Sequence, residues 1–575
     1  MWRVLAPHIH FMKNRNWLPR SVQSLKGYDG HKFLADLIAG VTVGLVALAL
    51  AMAFAIASGV TPQSGLYCAI VAGFLISALG GSQMQIGGPT GAFVVVVFGI
   101  VTRYGVDGLY MCTLMAGVLL VLLGVTGLGS AVKFIPRPVV AGFTSGIAIT
   151  IASTQIQDFF GIRAAKVPGD FWGRIVVLAK NFPTFSHLET AMGILAILLI
   201  LVCNRFLKRI PGYIVALVAG TAAVVIFHLP VETIGTRFGG IPSGLPHFSL
   251  PHFHGNLIRP LISPAITVAM LGAIESLMSA VVSDRMSNTK HNPNVELVGQ
   301  GIANIASPLF GGLPATGAIA RTATNIRSGA KTPVAGMIHS LTLLVILLFA
   351  APLARFVPLS VLSGILLVVS YKMGEWQEIP ELLKLTPLEI GTWAATFLLT
   401  VFADLTVAVE VGMILAALVF IRKVTATTTV SQVTAEYQRE GMVHSLQDRE
   451  LPSYVTIFRI HGPFLFGSTD KIDQILSKLN HLPPIVVLRL RNMTAIDATG
   501  LQALEELADR IHASGRGLIL CGARAQPAEM IERAEFAEHV GSENICPNVA
   551  AAITRAHVLY TELTELASTT VASCL

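Results

Sequence analysis

The sequence has 575 residues, of which 53% are hydrophobic and only 13% are charged. Soluble domains carry roughly a quarter charged residues, so a water-soluble protein of this size could not bury so much apolar surface. The composition therefore predicts an integral membrane protein. It argues against a soluble enzyme and against a protein that binds nucleic acid.

The net charge changes sign along the chain. Residues 1–423 contain 28 Lys and Arg against 16 Asp and Glu, whereas residues 424–575 contain 12 against 17, so the two parts carry +12 and −5. This division predicts a basic membrane part and an acidic C-terminal part. The first 35 residues contain six Lys or Arg and no apolar core of the signal-peptide type. We expect 1–35 to be a cytoplasmic N-terminal segment.

Apolar runs suited to crossing a bilayer as helices recur throughout residues 36–423. The longer runs lie at 36–57, 63–80, 108–128, 138–156, 188–204, 211–228, 262–283, 334–353, 359–371, 386–402 and 404–421, and shorter pieces lie at 90–101, 293–306 and 314–327. These runs predict a transmembrane domain over 36–423 with fourteen transmembrane segments. An inside N-terminus places more than twice as many loop Lys and Arg inside as outside, which indicates that both termini are cytoplasmic.

Two of the short segments are interrupted by Gly and Pro. The first reads QIGGPTGA at 85–92 and the second reads GGLPATGAIAR at 311–321, and each precedes a helix too short to cross alone. They occupy corresponding places in two halves of the chain. Paired segments of this kind indicate a binding site in a transporter built from inverted repeats; the alternative for either one alone is a kinked, packed helix.

The C-terminal part alternates strand-like and helical patterns. Apolar β-branched runs lie at 455–460, 485–490 and 517–521, and helical patterns follow at 470–479, 500–513 and 527–535. This alternation predicts a small α/β domain. We expect this domain at 453–560 with its helices on one side of the sheet, a linker at 424–452 and a C-terminal tail at 561–575.

Neither a metal nor a cofactor is expected. The six cysteines contain no C-x-x-C pair, which argues against a zinc site or a disulfide framework. His247, His252 and His254 cluster in a predicted loop, but no Cys or carboxylate completes a metal site. The sequence also lacks a P-loop, so ATP-driven transport is unsupported. The chain is not expected to be an enzyme.

Nearly the whole chain resembles the SulP sulphate-permease family, which includes the solute-carrier-26 anion exchangers. The stretches that carry the resemblance are 36–60, GLY at 65–67, IGGPTGA at 86–92, LGAIESLMSAVVSD at 271–284, NVELVGQGIAN at 294–304 and 311–329, with HGPFLF at 461–466 and IDATGL at 496–501 resembling the family's STAS domain. The resemblance implies a core and a gate domain in seven-plus-seven inverted repeats, followed by a cytoplasmic STAS domain.

In this family, the third and tenth segments begin as short strands and continue as half-helices whose N-termini face each other across the anion. Helix N-termini suit an anion because they present unpaired N–H groups and a partial positive charge. The resemblance starts the second half-helix near 319–320. Aligning the two interrupted segments by their prolines, Pro89 and Pro314, would start it four or five residues earlier. The implied anion-binding residues are Phe54, Gly88, Pro89, Thr90, Gly91, Ala318, Ile319, Ala320 and Arg321.

Two ionisable residues lie within apolar segments, where such residues usually face a transport pathway. Glu275 is the predicted site of proton coupling, and Arg321 the predicted cation of the anion site. The alternatives are a carboxyl that packs between helices and an arginine that extends to the membrane interface.

The leading interpretation is a proton-coupled secondary transporter of a small anion in a bacterial inner membrane, with Na⁺ as the alternative coupling ion. Sulphate, bicarbonate and C4-dicarboxylates such as succinate are the candidate substrates, and the sequence most resembles the dicarboxylate subgroup. The alternatives are an anion channel or exchanger without proton coupling, a nucleobase–proton symporter, or a membrane-anchored sensor. Nucleobase symporters lack a STAS domain, and fourteen spans exceed what an anchor needs.

The STAS domain is expected to assist assembly of a homodimer or to bind a cytoplasmic protein. The sequence departs from related domains at Ala498, where anti-sigma-factor antagonists carry a phosphorylated Ser. It also departs from many family members at Ala49 and Leu50, where a Pro and a polar residue are common. The first departure weakens the case for a phosphorylation switch, and the second could alter substrate choice.

Overall fold

A computed structural model of the chain describes residues 17–129, 136–164, 167–206, 211–242, 244–403, 405–433 and 451–574. They divide into two units, the first ending at Ala416 and the second beginning at Ala417. Parts of the predicted N-terminal segment and linker lie outside these residues.

The first unit is helical, with two very short strands. Its elements are α1 (Arg20–Ser24), α2 (Gly30–Ala57), α3 (Pro62–Leu79), β1 (Gly87–Gly88), α4 (Gly91–Val125), α5 (Arg137–Phe160), α6 (Phe171–Asn181), α7 (His187–Phe206), α8 (Gly212–Phe227), α9 (Ile234–Phe238), α10 (Ile258–Ser287), α11 (Pro293–Leu309), β2 (Thr316–Gly317), α12 (Ile319–Arg327), α13 (Val334–Ala354), α14 (Leu359–Met373), α15 (Ile379–Leu382) and α16 (Pro387–Phe402). Helix α17 (Leu405–Thr427) contains the boundary between the units.

A helix overlaps each of the predicted transmembrane segments within the described part of the chain. Seven of the described helices are long and apolar enough to cross a membrane by length and composition, namely α2, α3, α4, α5, α7, α10 and α13. The predicted segments 90–101 and 108–128 form one helix, α4, which is interrupted by the non-helical backbone of Gly105 (φ 71°, ψ −175°). Helix α6 was not predicted, because its 11 residues include Arg174 and Lys180.

The helices of the first unit form two packed groups. One group contains α2, α3, α4, α10, α11, α12 and α13, and the other contains α5, α7, α8, α14 and α16. Glycines allow close approach in the first group: a Cβ on Gly65 would lie 2.0 Å from the Ala51 carbonyl oxygen, and one on Gly40 would lie 2.5 Å from that of Ala335. Small residues at helix contacts allow membrane helices to approach closely, and this close approach increases their van der Waals packing energy.

Two halves of the first unit repeat the same order of elements with inverted orientation. Two helices, a two-residue strand and a further helix occur at α2–α3–β1–α4 and again at α10–α11–β2–α12. The strands pair antiparallel, with Gly87 opposite Gly317 and Gly88 opposite Thr316. Helix α12 begins at Ile319, which confirms the start expected from the family resemblance. The interrupted segments therefore place two helix N-termini at one point.

The side chain of Glu296 of α11 forms hydrogen bonds with the backbone of the segment that precedes β1. Its side chain is 1% exposed and accepts hydrogen bonds from the backbone N–H groups of Gly81 (2.9 Å) and Ser82 (3.0 Å) and from Gln300 Nε2 (2.9 Å). A buried carboxylate must be paired in this way, because an unpaired buried charge is costly. Sequence analysis assigned this residue no role, although a Glu in an apolar helical pattern is the signal that singled out Glu275.

The second unit is an α/β domain around one five-stranded sheet. Its further elements are β3 (Thr429–Gln432), β4 (Val455–Phe464), α18 (Asp473–Leu476), β5 (Ile485–Ile496), α19 (Ala498–Ala513), β6 (Gly517–Cys521), α20 (Ala525–Arg533), α21 (Ala537–Val540), β7 (Ile545–Cys546) and α22 (Val549–Cys574). The strand order is β3-β4-β5-β6-β7, with β3 antiparallel to β4 and the other neighbours parallel.

The sheet is covered on both faces, so the expectation of helices on one side is wrong. Leu504 of α19 and Ile531 of α20 pack on one face with Leu488, whereas Ala552 of α22 packs on the other with Val487. The physical reason is visible in β5, whose consecutive apolar residues are typical of a strand buried on both faces.

Strand β3 lies within the segment 424–452 expected to be a linker, and α22 extends into the segment 561–575 expected to be a tail.

Asp497 caps α19 and also holds the preceding loop. Its Oδ1 accepts a hydrogen bond from Gly500 N (2.8 Å) and its Oδ2 one from Phe466 N (3.0 Å).

Because losing an N-cap costs about 1 kcal/mol, we expect Asp497→Ala to lower the free energy of unfolding of the second unit by that amount. Asp497→Asn should recover only part of the stability, because its single side-chain oxygen can accept from Gly500 N but its NH2 group cannot accept from Phe466 N. Hydrogen exchange of the β5 and β6 amides in the full-length protein measures this, and equal protection in Asp497→Ala would contradict the capping role.

Candidate functional site

A cavity of about 370 Å³ lies in the first unit at the start of the two half-helices. It is lined by residues of both helix groups: Val46, Leu50, Phe54, Thr90, Gly91, Ala92, Phe143, Thr144, Tyr213, Leu271, Ile274, Glu275, Met278, Ala318, Ile319, Ala320, Arg321, Thr324, Val369, Lys372, Met373 and Glu375. Most of these side chains are apolar, and the charged ones are Glu275, Arg321, Lys372 and Glu375. This composition is typical of a site for a small molecule.

Two helix N-termini open into this cavity. Helix α4 begins at Gly91 after Thr90, and α12 begins at Ile319 after Ala318. Neither N-terminus is capped by the side chain of its preceding residue, so the first backbone N–H groups of each helix lack an intrahelical partner. The antiparallel pairing of β1 and β2 brings both ends to the same place. The arrangement presents N–H donors and the positive ends of two helix dipoles to one small volume.

Glu275 faces the cavity from α10 and is partly exposed to it. Its Oε2 accepts a hydrogen bond of 2.8 Å from the hydroxyl of Thr90, which precedes α4. Thr90 is 5% exposed. A carboxyl group therefore lies one hydrogen bond away from the start of a half-helix.

Arg321 lies in the first turn of α12 with its side chain 2% exposed. Its Nη2 donates a hydrogen bond to the carbonyl oxygen of Pro89, and its Nη1 has no hydrogen-bond partner among the described residues. A Cβ on Gly88 would lie 2.8 Å from Nη1, so the guanidinium group lies against the backbone of β1. It places a full positive charge beside both helix N-termini.

The structure brings together eight of the ten residues that sequence analysis selected. Those that line the cavity are Phe54, Thr90, Gly91, Glu275, Ala318, Ile319, Ala320 and Arg321. Gly88 and Pro89 do not line it. Gly88 is paired with Thr316 in the short sheet, and the carbonyl of Pro89 is occupied by Arg321. Their contacts are therefore with β2 and with Arg321 rather than with the cavity.

The wall contributed by α5, α8 and α14 was not predicted. Phe143 comes from α5, Tyr213 from α8 and Lys372 from α14, and Lys372 Nζ donates a hydrogen bond to the Tyr213 hydroxyl (3.3 Å). Lys372 falls one residue beyond the predicted segment 359–371. No signal in the sequence could have joined these residues to the half-helices, because only packing between the two helix groups does so.

Comparison with known families identifies both parts of the chain. Residues 33–396 match the family described as the sulfate permease family, and residues 447–552 match the STAS domain. The putative sulfate transporter YvdB of Bacillus subtilis is 41% identical over 521 residues, which cover 90% of this chain and 97% of that protein. The bicarbonate transporter BicA of Picosynechococcus is 30% identical over 523 residues, covering 88% and 91%.

Solved structures agree with this comparison. The transmembrane domain of a cyanobacterial bicarbonate transporter BicA superposes with a TM-score of 0.60 at 33% identity, covering 68% of this chain and 98% of that domain. The murine solute carrier 26 family member A9 anion transporter superposes with a TM-score of 0.83 at 17% identity, covering 94% of both chains. The second similarity is one of fold.

Proposed function

The chain belongs to the sulfate permease family of multi-pass membrane anion transporters, and from that premise we propose that it is a secondary active transporter that carries a small anion with a proton. Transport would proceed by alternating access, with the anion held between the two half-helix N-termini. The single observation that carries this proposal is the convergence of two uncapped helix N-termini and Arg321 on one cavity.

An anion in this cavity would be held by dipoles and one fixed charge. The backbone N–H groups at Gly91 and Ile319 can donate hydrogen bonds, and the Thr90 hydroxyl can turn toward the ligand. Arg321, whose side chain is 2% exposed, contributes positive potential in surroundings where electrostatic interactions are stronger than in bulk water. Phe54 would form an apolar wall on one side.

Glu275 is the proposed site of coupling. An ionised Glu275 would repel an anion bound beside Thr90, and protonation removes this repulsion. A proton taken up with each anion would therefore reduce the net charge that moves across the membrane. The hydrogen bond from Thr90 to Glu275 supports this proposal, because it links the carboxyl group to the start of the half-helix. Na⁺ bound at the carboxylate is the alternative.

The substrate is proposed to be sulphate, bicarbonate or a C4-dicarboxylate such as succinate. The relatives named above are a putative sulfate transporter and a bicarbonate transporter, and the resemblance of this sequence extends to the dicarboxylate subgroup.

Uptake of radiolabelled anions into proteoliposomes decides among these substrates when it is measured with and without an inward proton gradient. Uptake that follows an imposed Na⁺ gradient would replace the proton with Na⁺. Uptake indifferent to both gradients would indicate a channel or exchanger.

The second unit is proposed to support assembly of a homodimer or docking of a cytoplasmic protein, with both termini on the cytoplasmic side of a bacterial inner membrane.

Because every residue lining the membrane cavity belongs to the first unit, we expect deletion of residues 429–575 to change anion affinity less than threefold, about 0.6 kcal/mol. Calorimetry on the purified, monodisperse truncated protein measures this. A tenfold loss of affinity in such a protein would contradict the assignment.

A further inference from the structure

A crevice of about 440 Å³ lies between the two helix groups of the first unit. Its lining comes mainly from α2, α3 and α13 of one group and from α8 of the other. It shares no residue with the cavity that Glu275 and Arg321 line. Because both groups form its walls, any movement of one group against the other changes its shape. The crevice is therefore a feature separate from the proposed anion site.

The crevice is apolar and opens toward the bilayer. Its most buried lining residues include Met52 of α2, Leu66 of α3 and Leu347 of α13. Two other lining residues, Val218 and Ile226 of α8, are 60% and 67% exposed. Apolar side chains that are exposed on the helices of a membrane protein face the hydrocarbon of the bilayer. The crevice therefore extends from the lipid-facing surface into the contact between the helices.

The crevice offers no polar side chain to a soluble ligand. Thr221 is the one polar residue among the described residues that line it, and its hydroxyl donates a hydrogen bond of 2.7 Å to the carbonyl oxygen of Leu217 in the same helix. A buried water needs several polar partners, and a polar ligand would lose its hydration without compensation. A hydrocarbon chain has no such requirement. The lining therefore favours hydrocarbon over water or a polar solute.

A cation lies at one end of the crevice. Helix α13 ends at Ala354, which lines the crevice together with Phe356. Between them, the exposed Arg355 places its guanidinium over the Phe356 ring, with Cζ 4.5 Å from the ring centroid. The Arg355 carbonyl accepts a hydrogen bond from Gly235 N (2.8 Å), and no carboxylate of the described residues pairs with its side chain. An arginine at the end of a membrane helix reaches the lipid headgroups.

We propose that one phospholipid binds at this crevice, with an acyl chain between the two helix groups and its phosphate group on Arg355. The planar guanidinium suits a phosphate because it offers paired N–H donors to two oxygens. Phe356 joins the two parts of the site, because its ring lines the crevice and also contacts the guanidinium. The bound lipid contacts both helix groups at once. This site stands independently of the proposed transport function.

Native mass spectrometry of the full-length protein in detergent tests the proposal, because it resolves the first bound lipid from those that follow. Dioleoyl phosphatidylglycerol is compared with dioleoylglycerol, which has the same chains but no phosphate. We expect the first phosphatidylglycerol to bind about threefold more tightly than dioleoylglycerol, since exposed charge pairs contribute modestly. Arg355→Gln should abolish this difference. Arg259→Gln changes an exposed arginine of α10 that does not line the crevice, and it should retain the difference.

Two further variants, Ala222→Trp and Ala350→Trp, fill the crevice from α8 and from α13. Each should weaken binding of the first lipid at least about tenfold, because the displaced chain loses its apolar contacts. Later lipids, which bind the general apolar surface, should be unaffected. Val345→Trp, at an exposed position of α13 outside the crevice, is the matched control and should behave as the wild type. Thermal unfolding shows whether each variant is folded.

Equal affinity of the wild type and of a folded Ala222→Trp or Ala350→Trp protein for the first lipid would overturn the proposal. So would equal wild-type affinity for the two lipids, or a preference for phosphatidylglycerol that survives in Arg355→Gln. The same spectra report the oligomeric state. Loss of dimers in Ala222→Trp at unchanged lipid affinity would assign the crevice to a second copy of the chain instead, and would also overturn the proposal.

Discussion

Replacing Arg321 by alanine is expected to weaken anion binding by tenfold to a hundredfold. Hydrogen bonds that involve a charged group contribute about 1.5–3 kcal/mol, and each 1.4 kcal/mol corresponds to about tenfold in affinity. Arg321→Lys should be less damaging, because it keeps the positive charge but loses the planar fork. Calorimetry on purified protein with the transported anion measures both variants.

Arg327→Ala is the matched control for Arg321, because this arginine lies on the same helix but is exposed. Its anion affinity should equal that of the wild type. Arg321→Ala also leaves the carbonyl of Pro89 without its donor, so thermal unfolding must confirm that the variant is folded before affinities are compared. A folded Arg321→Ala protein with wild-type affinity would remove the guanidinium from the site and leave the helix dipoles alone.

Glu275→Gln is expected to abolish the dependence of uptake on an inward pH gradient. Its anion affinity should stay within threefold, about 0.6 kcal/mol, of the wild-type affinity measured at a pH low enough to protonate Glu275. The glutamine side chain keeps an oxygen that can accept the hydrogen bond from Thr90, but it cannot exchange a proton. Uptake into proteoliposomes at fixed internal pH, with the external pH lowered stepwise, measures the dependence.

Glu410→Gln is the matched control for Glu275. Glu410 is also a carboxyl group of the membrane unit, but it is exposed and accepts a hydrogen bond from Ser263 (2.7 Å). It does not line the cavity, so its variant should follow the gradient as the wild type does. If Glu275→Gln uptake also followed the gradient, the coupling site would have to lie elsewhere.

The class of protein and the positions of its helices are determined by local sequence. Apolar runs about 20 residues long can satisfy their backbone hydrogen bonds in a bilayer only as helices. This is why the predicted segments coincide with helices, whereas the short amphipathic α6 was missed. The two Gly- and Pro-interrupted segments could also be predicted from local sequence, because glycine disfavours a helix interior and proline interrupts it.

The residue at which the second half-helix starts could not be predicted from the local sequence pattern alone. Matching Pro89 to Pro314 would have started the second half-helix several residues too early, and the family resemblance corrected it to the observed start at Ile319. In the second unit, strands were predicted from β-branched runs. The helix on the opposite face was missed, because which face a helix covers is set by packing rather than by its own sequence.

Only the tertiary structure decided which side chains meet. Sequence analysis joined Thr90 and Arg321 only through the family resemblance and selected Glu275 separately, whereas the antiparallel pairing of β1 and β2 and the packing of α10 place all three around one cavity. The same holds for Lys372, which α14 contributes to the cavity lining. Contacts between residues far apart in the chain depend on how whole elements pack, and periodicity within one element carries no information about that.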